Sequence, residues 1–191
     1  MKPDVTRTDR LCRLFCTVLD RIISARALRE TKGNSLSPAQ FAGLQFIYLH
    51  PNACIKELAQ GLSVSHPAAV KLVERLEAKG LIARSPHKTD RRMVQLSVTR
   101  SGARQASAVI RARSRAIEKL LAAAGEECSC NLMACLEAFI KAAVAEERDR
   151  NGVCLHCGTN HDPDCPACQV EEELGTSDQP ACHSKTVKPT P

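Results

Sequence analysis

Residues able to do chemistry gather at two places in this chain. The first is a run of small, polar and basic side chains: Ser65, His66, Pro67, Ala68, Val70, Lys71 and Arg75, followed at a distance by Lys88, Asp90, Arg91 and Arg92. The second is a set of thiols, Cys154, Cys157, Cys165 and Cys168, in two C-x-x-C pairs joined by residues 158–164. Small or polar side chains at the start of a helix let it approach base edges in a major groove, where bulky ones would hold it off. His66 and Lys71 suit donation to a base or a phosphate, and Val70 suits contact with a thymine methyl group. Arg75 is better placed for the backbone, which positions without specifying. An arginine on a narrow ribbon can enter a minor groove, where negative potential is focused. Asp90 would accept hydrogen bonds from a neighbouring arginine and orient it. Two C-x-x-C turns, the first closed by Gly158, make a tetrahedral thiolate site that suits Zn²⁺. The same four thiolates could hold an iron–sulfur cluster or act as a metal-free redox switch. His156 and His161 are weaker candidates as ligands.

The first group needs two short helices and a strand pair to position it. Ile55, Leu58, Ala59 and Leu62 recur at helical spacing, Gly61 marks the helix end as a left-handed residue, and Val64 is expected to turn inward. Ser65 caps the next helix, Pro67 falls in its first turn, and Ala69, Leu72, Val73 and Leu76 form its apolar face. Gly80 stops it. Strands over 81–84 and 93–98 follow, around a basic tip. This order is a winged helix-turn-helix, whose chemistry is binding of double-stranded DNA. An ordinary helical hairpin would leave the basic strand pair unexplained.

The surrounding frame reads as helical. An amphipathic helix over 9–30 carries Leu11, Leu14, Phe15, Val18, Ile22 and Ile23, and residues 32–35 break it. Ser37 caps and Pro38 opens a second helix with Phe41, Leu44, Ile47 and Tyr48 inward, ended by His50-Pro51-Asn52. A long helix spans 99–124, Gly125 breaks it, and a last helix with Leu132, Leu136, Phe139, Ile140 and Val144 reaches about 149. These outer helices carry more apolar surface than a small reading head can cover. Pairing them across a two-fold axis would bury it, so a homodimer is expected. The fold class is mainly α, an α+β winged helix-turn-helix with a helical dimerisation layer and a two-stranded wing. The segments are an N-terminal dimerisation helix (1–35), the DNA-binding unit (36–102), C-terminal dimerisation helices (103–150), a cysteine-rich segment (151–170) and an aperiodic tail (171–191) expected to be disordered.

At this point the chain resembles the MarR family of bacterial transcriptional regulators. The resemblance runs through LAQGLSVSHPAAVKLVERLEAKGLI, the Asp90-Arg91-Arg92 wing signature and the LSVTRSG segment, and continues more weakly over 36–107. It implies a homodimer on a pseudo-palindromic operator, usually a repressor released by a small ligand or by oxidation. The chain departs from the family at Pro67-Ala68-Ala69, where small hydroxyl residues are more frequent. That departure bears on base specificity. A small-molecule pocket, as the resemblance suggests, would draw on Phe41, Leu44, Phe46 and Tyr48, against the plainer reading that these fill the core. The C-terminal cysteines are not part of the family pattern.

Composition sets the remaining bounds. The chain has 191 residues, 43% hydrophobic, with 3% aromatic and no Trp, so aliphatic helix packing must supply most of the burial. The net charge is +6, which suits a polyanion. Arg84, Lys88, Arg91, Arg92, Arg100, Arg104, Arg111, Arg113 and Arg115 crowd one segment with Asp90 the one acid among them. Several would lie near phosphates and make binding salt-dependent. No apolar run reaches bilayer length by inspection and no signal peptide is visible, so a cytoplasmic protein without a membrane partner is expected. Eleven cysteines in such a protein point to metal, burial or redox chemistry rather than a disulfide scaffold. Cys12 with Cys16, and Cys128 with Cys130, are candidate redox thiols; the plainer expectation is small buried residues. No phosphate loop, nucleophile elbow or zinc-hydrolase motif appears, and four thiolates leave a metal no open position, so an enzyme is not expected. A protein-interaction adaptor is the alternative from another class, and a clean dimer without DNA binding would favour it.

Overall fold

The computed structural model describes residues 4–31, 36–86, 94–146, 153 and 164–173, without the side chains of 168 and 171–173. The first helix starts earlier than its apolar pattern suggests, because Asp4 caps it: its carboxylate accepts from the Arg7 N–H at 3.0 Å. One continuous helical rod then runs through α1 (Val5–Thr17), a π-helical segment (Val18–Ser24) and α2 (Ala25–Glu30). In the π-helical turns the Ala25 N–H donates to the Asp20 carbonyl, and the Ser24 hydroxyl donates to the Leu19 carbonyl at 2.7 Å. The apolar pattern over 9–30 predicts one regular α-helix. The π turns shift the register between its halves, so α2 buries Ala27 and Leu28 while α1 buries nothing. The break read over 32–35 lies outside the described residues.

Helix α3 (Pro38–Leu49) has the expected start. The Ser37 hydroxyl accepts from the Gln40 N–H and the Gln40 side chain accepts from the Ser37 N–H, a reciprocal capping box behind Pro38. Leu44 and Ile47 on α3 meet Leu58 of α4 (Ile55–Gly61), Val73 and Leu76 of α5 (His66–Ala78) and Val109 of the long α6 (Arg100–Ala124) in one aliphatic core. The wing strands β1 (Ile82–Pro86) and β2 (Val94–Val98) pair antiparallel with Ile82 opposite Val98 and Pro86 opposite Val94. Leu96 of β2 is fully buried, and its N–H donates to the Ala53 carbonyl at 2.9 Å. The chain just before α4 therefore covers the second edge of β2, a pairing the sequence did not reveal.

Gly125, at a positive φ of 89°, separates α6 from α7 (Glu126–Glu146). A short α8 (Pro166–Glu173) packs against the end of α7, where Val144, Ala167 and Val170 are buried and Val153 and Cys165 lie against them. Most of α7 is uncovered: Leu132, Met133, Phe139 and Ile140 are exposed, as are Leu11, Leu14 and Ile22 near the N-terminus and Leu120 on α6. The expectation that no apolar run approaches bilayer length is corrected here. By length and composition α7 could cross a bilayer, and little of it is buried in the protomer. Its apolar residues crowd one side, however, and Asn131, Glu137 and Lys141 interrupt the rest, as in a helix that packs on other helices.

Candidate nucleic-acid interface

Helix α5 is delivered by two tight chain reversals. At the first, the expectation for Gly61 and Val64 is wrong. Gly61 is helical, and the left-handed residue is Ser63, with φ 52°. Ser63 N–H donates to Gln60 and Val64 N–H to Ala59, which closes the end of α4 in a Schellman arrangement around a serine. Gly61 is required for a different reason: a Cβ there would drive into the Phe46 ring. Val64 does not turn inward but stands 40% exposed beside Ser65.

Ser65 then caps α5, its hydroxyl accepting from the Ala68 N–H at 3.4 Å, with Pro67 in the first turn. Ala69, Val73 and Leu76 are fully buried and anchor the helix. Ser65, His66, Pro67, Ala68, Lys71 and Arg75 are exposed and Val70 half-buried, so the candidate reading residues stand away from the core. At about 100° per residue, His66, Val70, Pro67 and Lys71 share one face, and Ala68 and Arg75 lie at its edge. Glu74 sits in the middle of that face and is also exposed. Glu74 is absent from the residues expected to face DNA, although its spacing from Val70 and Lys71 marks it. A carboxylate there can accept from a cytosine amino group and repels phosphate.

The far end of α5 is joined to the wing. Gly80 has φ 66°, its N–H donates to Glu77, and the Leu81 N–H donates to Leu76, a second Schellman closure. Leu81 also accepts from the Thr99 N–H at 2.9 Å, and the Thr99 hydroxyl donates to the Gly80 carbonyl at 2.7 Å. Thr99 at the same time caps α6 by accepting from the Gly102 N–H at 3.1 Å. One residue thus ties the reading helix, the wing and the long helix together. Arg84 on β1 forms an ion pair with Glu77 of α5 at 3.0 Å, which offsets its charge at the base of the wing. The tip, with Lys88, Asp90, Arg91, Arg92 and Met93, lies outside the described residues, so β2 is described from Val94 rather than from 93.

The proposed pocket residues do not gather on one face. Leu44 and Phe46 are buried; Phe46 stacks on His50 with ring centroids 4.4 Å apart and lies against Gly61, whereas Leu44 approaches Gly102. Phe41 and Tyr48, on Leu44's side of α3 by helical spacing, are half-buried against the same core. The expectation of buried cysteines is also corrected: Cys12, Cys16, Cys128, Cys130 and Cys135 are exposed in the protomer. Cys12 and Cys16 stand one turn apart on the same face, but Cys128 and Cys130, two positions apart in a helix, point to different sides. Among the described residues no three Cys, His, Asp or Glu side chains converge as a metal site. Of the quartet, Cys165 is half-buried at the start of α8; Cys154, Cys157 and the side chain of Cys168 lie outside the described residues.

The family model for MarR matches residues 36–94. The repressor MdtR of Bacillus subtilis, an HTH-type transcriptional protein, is 30% identical over 105 residues, which are 55% of this chain and 68% of MdtR. This chain belongs to the MarR family. The transcriptional regulator Tm0710 of Thermotoga maritima shares its fold with a TM-score of 0.58 at 31% identity, over 72% of this chain and 94% of that one. Streptococcus pneumoniae FabT, solved in complex with DNA, matches at TM-score 0.61 and 20% identity over 71% of this chain and 96% of FabT, a likeness of fold alone. As a MarR-family member with a capped reading helix and a strand-pair wing, the chain is a DNA-binding transcriptional regulator and not an enzyme. Those two solved chains are covered almost whole, while more than a quarter of this chain has no counterpart in them.

Proposed function

We propose that this regulator is a cytoplasmic homodimeric repressor that reads a pseudo-palindromic operator. In this reading Ser65 to Arg75 enter successive major grooves, and Arg91 and Arg92 enter the flanking minor grooves. The observation that carries it is α5 itself, capped by Ser65, anchored by Ala69, Val73 and Leu76, and presenting His66, Val70 and Lys71 to solvent. Half-sites then lie about one helical turn apart. Lys71→Ala with Arg92→Ala is expected to weaken binding by ~1–3 kcal/mol for each residue that reaches a base edge or a narrow groove. Footprinting and a gel-shift titration at fixed salt measure this. Unchanged affinity in the double variant would rule out the docking, and a footprint over one asymmetric half-site would rule out the dimer.

For the effector, we infer that the C-terminal cysteine segment carries the signal, with one Zn²⁺ per chain held by Cys154, Cys157, Cys165 and Cys168. Two features support this. Val153, which precedes Cys154 in sequence, and Cys165 pack against the same buried cluster of Val144, Ala167 and Val170. Cys165 also stands where α8 begins, its carbonyl accepting from the Gln169 N–H at 3.0 Å. Four thiolates close the coordination shell, which suits a structural or sensing role. An iron–sulfur cluster on the same thiolates, or their oxidation without metal, is the competing form of this signal, and a small molecule bound beside Phe41 and Tyr48 is the other. Metal analysis of anaerobically purified protein is expected to give about one zinc per chain, in keeping with four ligands per ion. Cys154→Ser with Cys165→Ser is expected to lose it. Equal metal in both proteins would refute the ligand set, and lost metal with unchanged DNA affinity would leave the site structural.

A further inference from the structure

Helix α6 carries Arg100, Arg104, Arg111 and Arg115, all exposed. At about 100° per residue these four fall within about 60° of one another, on the side opposite Gly102, Ala106 and Val109, which face the core. They form a ridge about 22 Å long at the α-helical rise. No acidic residue occurs between Arg100 and Ile117, and among the described residues no ion pair engages any of the four. By contrast, Arg13, Arg26 and Arg84 are each held by a carboxylate. Four unpaired guanidinium groups in line along a helix repel one another, an arrangement that a polyanion relieves.

The ridge begins at the DNA-reading unit. Arg100 follows Thr99, which is bonded to both Gly80 and Leu81 at the base of the wing. From there the ridge leads away from α5 along the outer side of α6. We propose that it is a second DNA contact: duplex flanking the site read by α5 curves against α6, and its phosphates lie along Arg104, Arg111 and Arg115. Guanidinium groups recognise phosphate oxygens in pairs, and such contacts carry no base preference, so the flank is held whatever its sequence. The inference rests on the DNA-binding reading of α5 and extends the footprint beyond the wing.

The test separates the two. A duplex of about 24 base pairs is selected in vitro by the wild-type protein, enough for two half-sites one turn apart. It is compared with the same sequence extended on both sides by about 15 base pairs, roughly one and a half further turns. Affinity is measured across a salt series. Each additional phosphate neutralised steepens the log–log salt dependence by about 0.9. The extended duplex is expected to give a slope steeper by about 2 to 4 and at least about tenfold tighter binding at low salt. Arg111→Ala with Arg115→Ala is expected to abolish that gain and to bind the short duplex as the wild type does. Arg111→Lys with Arg115→Lys, which keeps the charge, is expected to retain most of it. Equal slopes for short and extended duplexes in the wild type would overturn the ridge as a DNA contact and leave the reading of α5 standing. So would equal losses on both duplexes in the alanine variant. Failure to select any duplex would overturn the DNA-binding reading, and the ridge with it.

Discussion

Gly102→Ala is expected to destabilise the protein by about 3 kcal/mol or more, toward the upper end of what a single substitution does. A Cβ on Gly102 would drive into the carbonyl oxygen of Leu81. That atom is backbone and cannot rotate away. Its residue closes the end of α5 through the Leu81 N–H and accepts from Thr99 at the start of α6. Relief therefore requires moving α6 from the wing and breaking the joint that fixes the reading helix. Chemical denaturation is expected to show a lower midpoint at unchanged slope, the signature of lost stability rather than an altered unfolded state. DNA affinity should fall even where the variant remains folded. Gly61→Ala is the comparison. It meets the Phe46 ring, a side chain held by His50 and the core, and should cost less because a ring can shift slightly. A Gly102→Ala midpoint equal to the wild type would mean that α6 does not dock on Leu81 as described.

Leu14→Asp combined with Ile140→Asp is expected to convert the proposed dimer to a folded monomer. Leu14 is 55% and Ile140 38% exposed in the protomer, so aspartate at either place costs little within one chain. In an interface each would bury an unpaired carboxylate, at several kcal/mol apiece. Every 1.4 kcal/mol is tenfold in dissociation constant, so the dimer should weaken by at least a thousandfold. Light scattering reads the mass, and circular dichroism checks that the helices remain. An intact dimer would place the interface elsewhere, and an unfolded double variant would show that these side chains support the protomer itself. Operator affinity should fall with the mass, because each half-site would then be bound alone.

Much of this architecture is readable from local sequence, because its punctuation acts over three or four residues. Ser37 before Pro38, Ser65 before Pro67, and Gly80 each mark an element end within a few residues of it, and each is legible. Where the deciding partner is distant, local sequence carries no sign of it. Gly61 looked like a turn glycine, but its partner is the Phe46 ring of another helix. With that glycine committed to packing, the turn falls to Ser63. The Leu96–Ala53 bond joins segments more than forty positions apart and has no local signature. Arg84 reads in sequence as one more cation near the wing, and its carboxylate partner Glu77 lies on another element. Cysteines on α1 and α7 looked like small core residues because their neighbours are apolar; those neighbours are themselves exposed in one chain. The basic residues of α6 were visible as a crowd, but their alignment into one ridge needed the helix phase.

The seven π-helical residues between α1 and α2 make the aim of the N-terminal arm depend on how the rod is wound. A π turn accommodates a residue beyond what an α-helix of the same span would hold. Rewinding Val18–Ser24 as regular α-helix with no residue removed would turn Leu11 and Leu14 by about 100°, one residue's rotation, relative to the buried Ala27 and Leu28. The apolar stripe would be unchanged in composition but would face another direction. Where α1 pairs with a second copy, a chain of the same fold and length wound as α-helix throughout would present a mismatched stripe and be rejected as a partner. Pairing fidelity among related regulators would then be encoded in the winding of one helix, independently of the stripe's own side chains.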